Sequence, residues 1–346
     1  MSSANSSVAE TWEELPVEFQ ENLPVSADPG VPANDDAEPI LSDVEQEPRG
    51  WALSLQWLVF LLLIFGYPAS VLAAHNINDR DVILSSDAWV SESAGIVSTL
   101  VSREVNTNGW AQDRDAWHPQ ARLTALPAWQ EGIIEASSDW IGALAEASDN
   151  DSDLVAAARL LSPTDQRPVT PRLQAALEAL ERYNSRLGSE FASAPASKRF
   201  LATSLDDIEQ TASDMRSALA QATLDQSDWP ATPLAIEAFY DAKAQAHVIE
   251  QRLRTLHAQA AMTEAEANEA FLADLDVAIA NWARAAEFKP LFVMNQTGSG
   301  VLETNHLAVM SFYYEQAETA TEAIGLVPND PQPAVSTSPE QTAPAP

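Results

Sequence analysis

The sequence predicts an all-α protein in which a single N-terminal transmembrane helix is followed by a multi-helix bundle. Three observations support this fold class: one long apolar segment near the N terminus, helical spacing of apolar residues beyond it, and no sustained run of alternating β-branched residues. Helices joined by short connections pack as a bundle. We therefore expect an all-α ectodomain over residues 80–326.

The predicted transmembrane helix covers residues 51–74. These 24 residues contain no Asp, Glu, Lys, Arg or His, with Trp51 and Trp57 near one end and Tyr67 nearer the other. A helix of this length spans roughly 36 Å, more than the bilayer hydrocarbon core of about 30 Å. Because the preceding residues are acidic and a signal peptide begins with a basic region, we expect an uncleaved anchor in the lipid bilayer.

The flanks of this segment leave its orientation open. One basic residue lies close on each side, Arg49 before it and Arg80 after it, so the positive-inside rule favours neither direction. A short leader with a large translocated C-terminal domain is the commoner arrangement. We therefore expect a single-pass protein of the bacterial inner membrane with a periplasmic C-terminal domain.

The chain is strongly acidic, with 51 Asp and Glu against 18 Lys and Arg and a net charge of −33. Because the acidity extends into the leader, adaptation of a halophilic bacterium to salt explains it more simply than an acidic surface for a basic partner. Nucleic-acid binding needs clusters of Lys and Arg, so we expect no nucleic-acid partner. The absence of Cys excludes disulfides, thiolate nucleophiles and Cys-based metal sites.

Two terminal segments are predicted to be disordered. The leader, residues 1–50, is rich in Pro, Ser, Asp and Glu, and residues 327–346 form a Pro/Ser/Thr-rich tail. Neither has enough apolar residues to bury a core.

Between these ends, seven or so apolar stripes with helical spacing predict the helices. The most regular stripe steps by four and three residues and predicts one long helix: Leu201, Leu205, Ile208, Ala212, Met215, Leu219 and Ala222. A later stripe follows the same pattern: Phe239, Ala242, Ala246, Ile249, Leu253 and Leu256. Prolines mark the predicted breaks: Pro163, Pro168, Pro171, Pro230, Pro233 and Pro290.

Few residues suggest chemistry. Glu303 and His306 have the Glu-x-x-His spacing of di-metal carboxylate bundles, and His247 and Glu250 repeat it in reversed order. Those bundles use the motif twice and add a Glu from each of two further helices, so we expect no metal and no cofactor. A metal-dependent enzyme that uses His306 remains the less favoured alternative.

Two tryptophans are weak candidates for ligand binding. Trp110 and Trp117 lie in the loop before the helix that contains Trp129, whereas Trp129, Trp140 and Trp282 fall on helical stripes and are expected in the core. If the loop binds a ligand, the protein is a sensor of small molecules or cell-wall fragments. This is the main alternative to a scaffold.

Three segments resemble one bacterial family. Residues 118–132 contain Pro-x-Trp-x-x-Gly, residues 239–247 begin Phe-Tyr-Asp-Ala-Lys, and a Gly-containing turn at 294–300 precedes Asn-His-x-x-x-Met at 305–310. This order is similar to that of the bacterial domain of unknown function 2333, over roughly residues 50–325. The resemblance implies an N-terminal membrane anchor and a helical fold, and the family has no established activity.

The same resemblance selects two candidate site residues, Asn305 and His306, which fall within the family signature. The simpler interpretation is a structural pair that caps the preceding Gly turn. Lys243 and Gln245 depart from the family pattern, which has Arg and Gly there, so close packing at Gln245 is in question. We therefore expect a non-enzymatic envelope scaffold or interaction protein with envelope protein partners.

Overall fold

The computed structural model describes residues 49–66, 69, 77–84, 88–163, 167–225, 231–263, 269–296 and 304–324. Within these ranges the regular structure is helical, and the one β-bridge joins Asn295 to Asn305. The predicted all-α class is confirmed. Residues 1–48 of the predicted leader, the predicted tail and the Gly298–Gly300 turn lie outside the described residues.

Helix α1 (Arg49–Leu61) continues as a π-helical turn (Leu62–Gly66). It begins two residues before the predicted membrane segment and contains that segment's most apolar part. Within the described ranges, no helix combines the length and the apolar character that crossing a membrane requires. The remaining residues of the predicted segment, 67, 68 and 70–74, lie outside those ranges.

Eight further helices follow in the described chain. They are α2 (Glu92–Ser102), α3 (Ala125–Ala147), α4 (Ser152–Leu161), α5 (Thr170–Gly188), α6 (Ser197–Leu224), α7 (Pro233–Thr263), α8 (Glu269–Glu287) and α9 (His306–Ile324). Helix α2 runs on into a π-helical segment (Arg103–Asn108), and two short 3₁₀ turns precede α3.

Helix α7 is the centre of the bundle. It packs most extensively against α3 and α8, and it also contacts α2, α6 and α9. Helices α4 and α5 extend the bundle outward from α3, while α9 closes it against α6 and α8. The 31-residue α7 therefore has neighbours along most of its circumference.

The predicted helices are present, with one addition and one correction. Helix α6 is a single 28-residue helix whose predicted stripe faces the core, with Leu201 and Met215 partly buried. Helix α4 was not predicted, because its ten residues carry only two large buried side chains, Leu154 and Leu161. Val90 has helical spacing with Ala94, Val97 and Val101, which predicts that it lies on the stripe of α2, but it precedes this helix and is exposed.

The core contains the tryptophans that were predicted there. Trp129, Trp140 and Trp282 are fully buried. Trp282 donates a hydrogen bond to Thr321 Oγ1 at 3.0 Å and packs edge-to-face against Tyr314, so it joins α8 to α9. Such aromatic pairs contribute about 0.5–1.5 kcal/mol beyond the area that they bury.

Candidate functional site

The polar faces of helix α7 are as deeply buried as its apolar stripe. Seven polar or charged side chains on it are at most 3% exposed: Lys243, Gln245, His247, Glu250, Gln251, Arg252 and Thr255. Buried charges are costly unless they are paired and hydrogen-bonded. Their partners therefore show what this helix holds in place.

One polar face of α7 binds an extended segment, residues 77–84, which we call the strap. Asp79 Oδ2 lies 3.2 Å from Lys243 Nζ on α7 and 3.3 Å from Lys289 Nζ, just after α8. These two ammonium groups share one carboxylate oxygen, which ties the start of the strap to two helices.

Farther along, the strap is held by side chains two to three turns down α7. Val82 N donates to Gln251 Oε1 at 3.2 Å, and Asp81 Oδ2 lies 2.8 Å from Arg254 Nη1. From α2's π-helical end, Arg103 donates to the carbonyl oxygens of Arg80 and Asp81, at 2.7 and 3.1 Å. The strap thus adds polar contacts to the bundle through both its side chains and its backbone.

Lys243 is the most deeply buried cation of this face. Besides Asp79, its ammonium group donates to the carbonyl oxygen of Ala286, and it lies 5.9 Å from the centre of the Trp129 ring. Burial lowers the pKa of Lys243, while the charge of Asp79 opposes that effect. The position joins the strap, α3, α7 and α8 at one point.

A second buried charge, Glu104, lies in the π-helical segment that continues α2. Its carboxylate accepts hydrogen bonds from Trp129 Nε1 at 3.1 Å, Gln130 Nε2 at 3.2 Å and Asn108 Nδ2 at 3.2 Å. Burial raises the pKa of Glu104, and these hydrogen bonds to the carboxylate partly offset the rise. Glu104 therefore orients the indole that packs against α7.

His247 packs against that indole. Its ring centre is 5.8 Å from the ring of Trp129, and its Nε2 is buried without a hydrogen-bond partner. Burial, with the charge of Lys243, lowers the pKa of His247 to about 4. The imidazole is therefore neutral near pH 7.

The opposite polar face of α7 meets α3 and α6. Gln245 Nε2 donates to Asp241 Oδ1 at 3.1 Å and to Glu135 Oε2 at 3.3 Å, so one amide bridges two carboxylates. Burial raises the pKa of Asp241 to about 7, and the charges of Glu135 and Glu131 add to the rise. Asp241 is therefore partly protonated at neutral pH.

The helices α3 and α7 approach closely at this point because α3 has a glycine there. A Cβ atom at Gly132 would lie 2.6 Å from Asp241 Oδ1 and 2.8 Å from both Asp241 O and Ala244 Cβ. Residue 132 can therefore carry no side chain without displacing α7. The family resemblance put close packing at Gln245 of α7 in question. The structure achieves it because the facing position on α3 is a glycine, Gly132.

Cavities open beside α7, and two of them are lined by its Asp241 or its Lys243. The large cavity, about 580 Å³, lies between α3, α6 and α7, and its lining includes Glu131, Glu237 and Asp241 together with Leu234. The second, which we call the lysine cavity, has a volume of about 150 Å³. Its lining consists of Ile77, Phe239, Tyr240, Lys243, Phe288, Lys289 and Pro290.

Asn305 and His306, the residues selected by the family resemblance, lie at the start of α9. Asn305 Oδ1 accepts a hydrogen bond from Ala308 N at 2.9 Å, which is N-cap geometry. His306 Nδ1 accepts from Met294 N at 3.1 Å, and His306 N donates to Met294 O at 2.9 Å. Both side chains thus contribute to the helix start and its link to the preceding segment.

We expect Asn305→Ala to lower the free energy of unfolding by about 1 kcal/mol, because α9 would lose its cap. Asn305→Ser is the matched control, since serine also caps and should keep most of the stability. Urea denaturation of both variants measures this. Equal losses in the two variants would contradict the capping role.

The two loop tryptophans lie in different environments. Trp110 is 2% exposed and packs in the core, whereas Trp117 is 70% exposed, with its ring 6.0 Å from that of His118. Neither residue lines the two cavities. The structure therefore does not bring them together as one binding surface.

The candidate metal ligands that the structure describes have other partners. Glu303 lies outside the described residues, and His247 stacks on Trp129 while Glu250 pairs with Arg254 at 2.5 Å. Across the part of the chain that the structure describes, no group of three or more His, Asp or Glu side chains is arranged to hold a metal ion.

Comparison with known proteins gives no relative. The chain matches no family model, no curated protein and no solved structure.

The buried polar residues of α7 were not predicted as a site. Because these residues lie outside the apolar stripe of α7, the helical periodicity predicts that their side chains are exposed to solvent. One signal was present: Ala242 and Ala246 lie on the apolar stripe, whereas Ala244 lies on the opposite side of the helix. Small residues on opposite faces indicate close neighbours on both sides.

Proposed function

We propose that the protein is a single-pass, membrane-anchored helical protein of the bacterial inner membrane, without enzymatic activity, whose bundle binds other envelope proteins. The observation that carries this proposal is the surface of α1 and its π-helical turn. Large apolar side chains there are 45–65% exposed: Leu55, Trp57, Leu58, Val59, Phe60, Leu61, Leu62, Ile64 and Phe65.

Such a surface needs an apolar partner. Complete burial of a Leu, Phe or Val side chain is favourable by about 1.5–3 kcal/mol, and here consecutive residues expose such side chains around the whole helix. Lipid covers all faces of a helix at once, whereas a protein groove covers only one. This favours a bilayer, with the predicted segment 51–74 supplying the length.

The contacts of α7 support a structural role for the bundle. Lys243, Glu104 and Gln245 direct their polar atoms to groups within the chain and so hold helices and strap together. The acidic surface disfavours nucleic acid as a partner. We place the bundle in the periplasm, where envelope proteins are available to bind.

Membrane extraction tests the anchor. We expect the wild-type protein to stay in the membrane fraction at alkaline pH and the double variant Leu58→Arg/Leu62→Arg to be released. Each arginine at the centre of a membrane helix costs about 2.5–3.5 kcal/mol on insertion scales. The fraction of protein released by alkaline carbonate is the measurement.

The matched control is Leu224→Arg/Leu291→Arg, which alters two bundle leucines that are 82% and 88% exposed. This control should remain in the membrane fraction. Release of the wild-type protein, or equal release of both double variants, would refute the anchor. Reporter fusions at each terminus test the orientation, and a periplasmic signal from the N-terminal fusion would reverse it.

Partner binding needs a separate test. After cross-linking in intact cells and purification in detergent, we expect the same envelope protein to be recovered in replicate preparations. Its yield should fall when α1 carries the two arginines, because the bundle would no longer be held at the membrane. Recovery of no reproducible partner would refute the interaction role.

A further inference from the structure

The lysine cavity carries an excess of positive charge in a strongly acidic protein. The sequence has three lysines, Lys198, Lys243 and Lys289, and two of them line this one cavity. Both contact the same oxygen of Asp79, so two ammonium groups share one carboxylate. Glu287 also acts on Lys243, but it does not line the cavity.

Lys243 also has donor capacity to spare. An ammonium group has three N–H donors. Those of Lys243 are directed to Asp79 and to the carbonyl oxygen of Ala286, which leaves one donor for a further acceptor. Because Lys243 is 1% exposed, a ligand anion next to it would meet little competition from water.

The remaining walls are apolar and mostly aromatic. Phe239 and Phe288 pack edge-to-face with their ring centres 5.7 Å apart, and Tyr240 lies 5.3 Å from Phe239. Aromatic walls favour a flat ring that stacks or packs edge-on. A volume of about 150 Å³ is the size of a protein cavity that is known to hold one benzene ring.

We propose that the lysine cavity binds a small aromatic carboxylate, with its ring against Phe239 and Phe288 and its carboxylate on Lys243 and Lys289. This goes beyond the scaffold role and gives the bundle a ligand. Ile77 of the strap lines the cavity, and Asp79 of the strap pairs with both of its lysines. The bound ligand therefore contacts the chain segment that follows the proposed anchor.

Ligand-observed ¹⁹F NMR tests this with 4-fluorobenzoate and the full-length protein in detergent micelles. We expect binding with a Kd of about 1 mM, as befits a ligand of this size. The neutral 4-fluorobenzyl alcohol should bind at least about tenfold more weakly, because it offers no charge to the lysines. This comparison also separates cavity binding from partition into the micelle.

Three variants locate the site. Lys289→Met should weaken 4-fluorobenzoate binding at least about tenfold, whereas Lys198→Met removes the same charge outside the cavity and should leave the affinity unchanged. Ile77→Trp should abolish binding by filling the cavity while both lysines remain. An unchanged melting temperature for each variant shows that the fold is retained.

Hydrogen exchange supplies an independent readout. Bound ligand should slow the exchange of the strap amides, residues 77–84, because its ring packs against Ile77. Four results would overturn the proposal: no binding by the wild type, equal binding of the alcohol, full affinity in Lys289→Met or Ile77→Trp, and unchanged strap exchange.

Discussion

Replacement of Asp241 by Asn is expected to raise the free energy of unfolding at pH 8 by up to about 4 kcal/mol. Burial, with the charges of Glu135 and Glu131, raises the pKa of Asp241 from 3.8 to about 7. Between these pH values the folded chain keeps a proton that the unfolded chain has released, so stability falls as the pH rises from about 4 to about 7. At 1.36 kcal/mol per pH unit, the rise in the pKa of Asp241 from 3.8 to about 7 corresponds to about 4 kcal/mol of unfolding free energy.

Asparagine avoids the cost of ionising a buried carboxyl group, because it carries no charge. Its amide oxygen can still accept the hydrogen bond from Gln245. Urea denaturation at pH 5 and pH 8 measures the effect, with a larger gain at pH 8. Glu237→Gln is the matched control, since Glu237 lines the same large cavity but is exposed. Equal changes in both variants would show that general charge reduction, rather than burial of Asp241, is responsible.

His247 has the opposite effect on how the free energy of unfolding depends on pH. Its pKa is lowered from 6.5 to about 4, so between these values the unfolded chain binds a proton that the folded chain does not. Stability contributed by neutral His247 is therefore lost as the pH falls from about 6.5 to about 4. In the wild type, Asp241 counteracts this loss over the same interval. The Asp241→Asn variant should consequently lose more stability than the wild type on acidification.

Gly132→Ala is expected to lower the free energy of unfolding by about 1–3 kcal/mol, which is the usual cost of overpacking. The added methyl group would meet backbone as well as side-chain atoms of Asp241, and backbone on the central helix cannot move aside cheaply. Alanine is the better helix former by about 1 kcal/mol, so the measured loss is net of that gain.

Gly142 provides the control on the same helix, because a Cβ there would have no neighbour within 4 Å. Gly142→Ala should raise stability by about 0.5–1 kcal/mol through helix propensity alone. The opposite signs of the two substitutions in urea denaturation are the expected result. A stabilising Gly132→Ala would mean that α3 and α7 do not pack as closely as described.

The helical fold could be predicted because its signals are local. The stripe from Leu201 to Ala222 repeats over about six turns, and only a helix places such residues on one face. Helix α4 was missed for the same reason, since its two buried leucines flank alanines that give little hydrophobic contrast. Its start depends instead on Asp151, whose carboxylate caps the backbone N–H groups of Asp153 and Leu154.

The site could not be predicted in the same way. The periodicity of α7 correctly assigns Phe239 to Leu256 to the core, but burial of the other faces depends on how many helices surround it. Lys243 pairs with Asp79, which lies 164 positions earlier in the sequence, and no local pattern encodes that pairing. The family resemblance selected Asn305 and His306, for which the structure gives local contacts at the start of α9.

The position of the strap also determines how mechanical load would enter the bundle. A pull on the chain ahead of residue 77 would first reach Lys243 on α7 and Lys289 after α8 through Asp79, and then Arg103 at the end of α2 together with Gln251 and Arg254. Force would therefore be delivered to the middle of the central helix and shared with α8 through Lys289. Since ion pairs carry part of that connection, its mechanical strength should fall as the ionic strength rises.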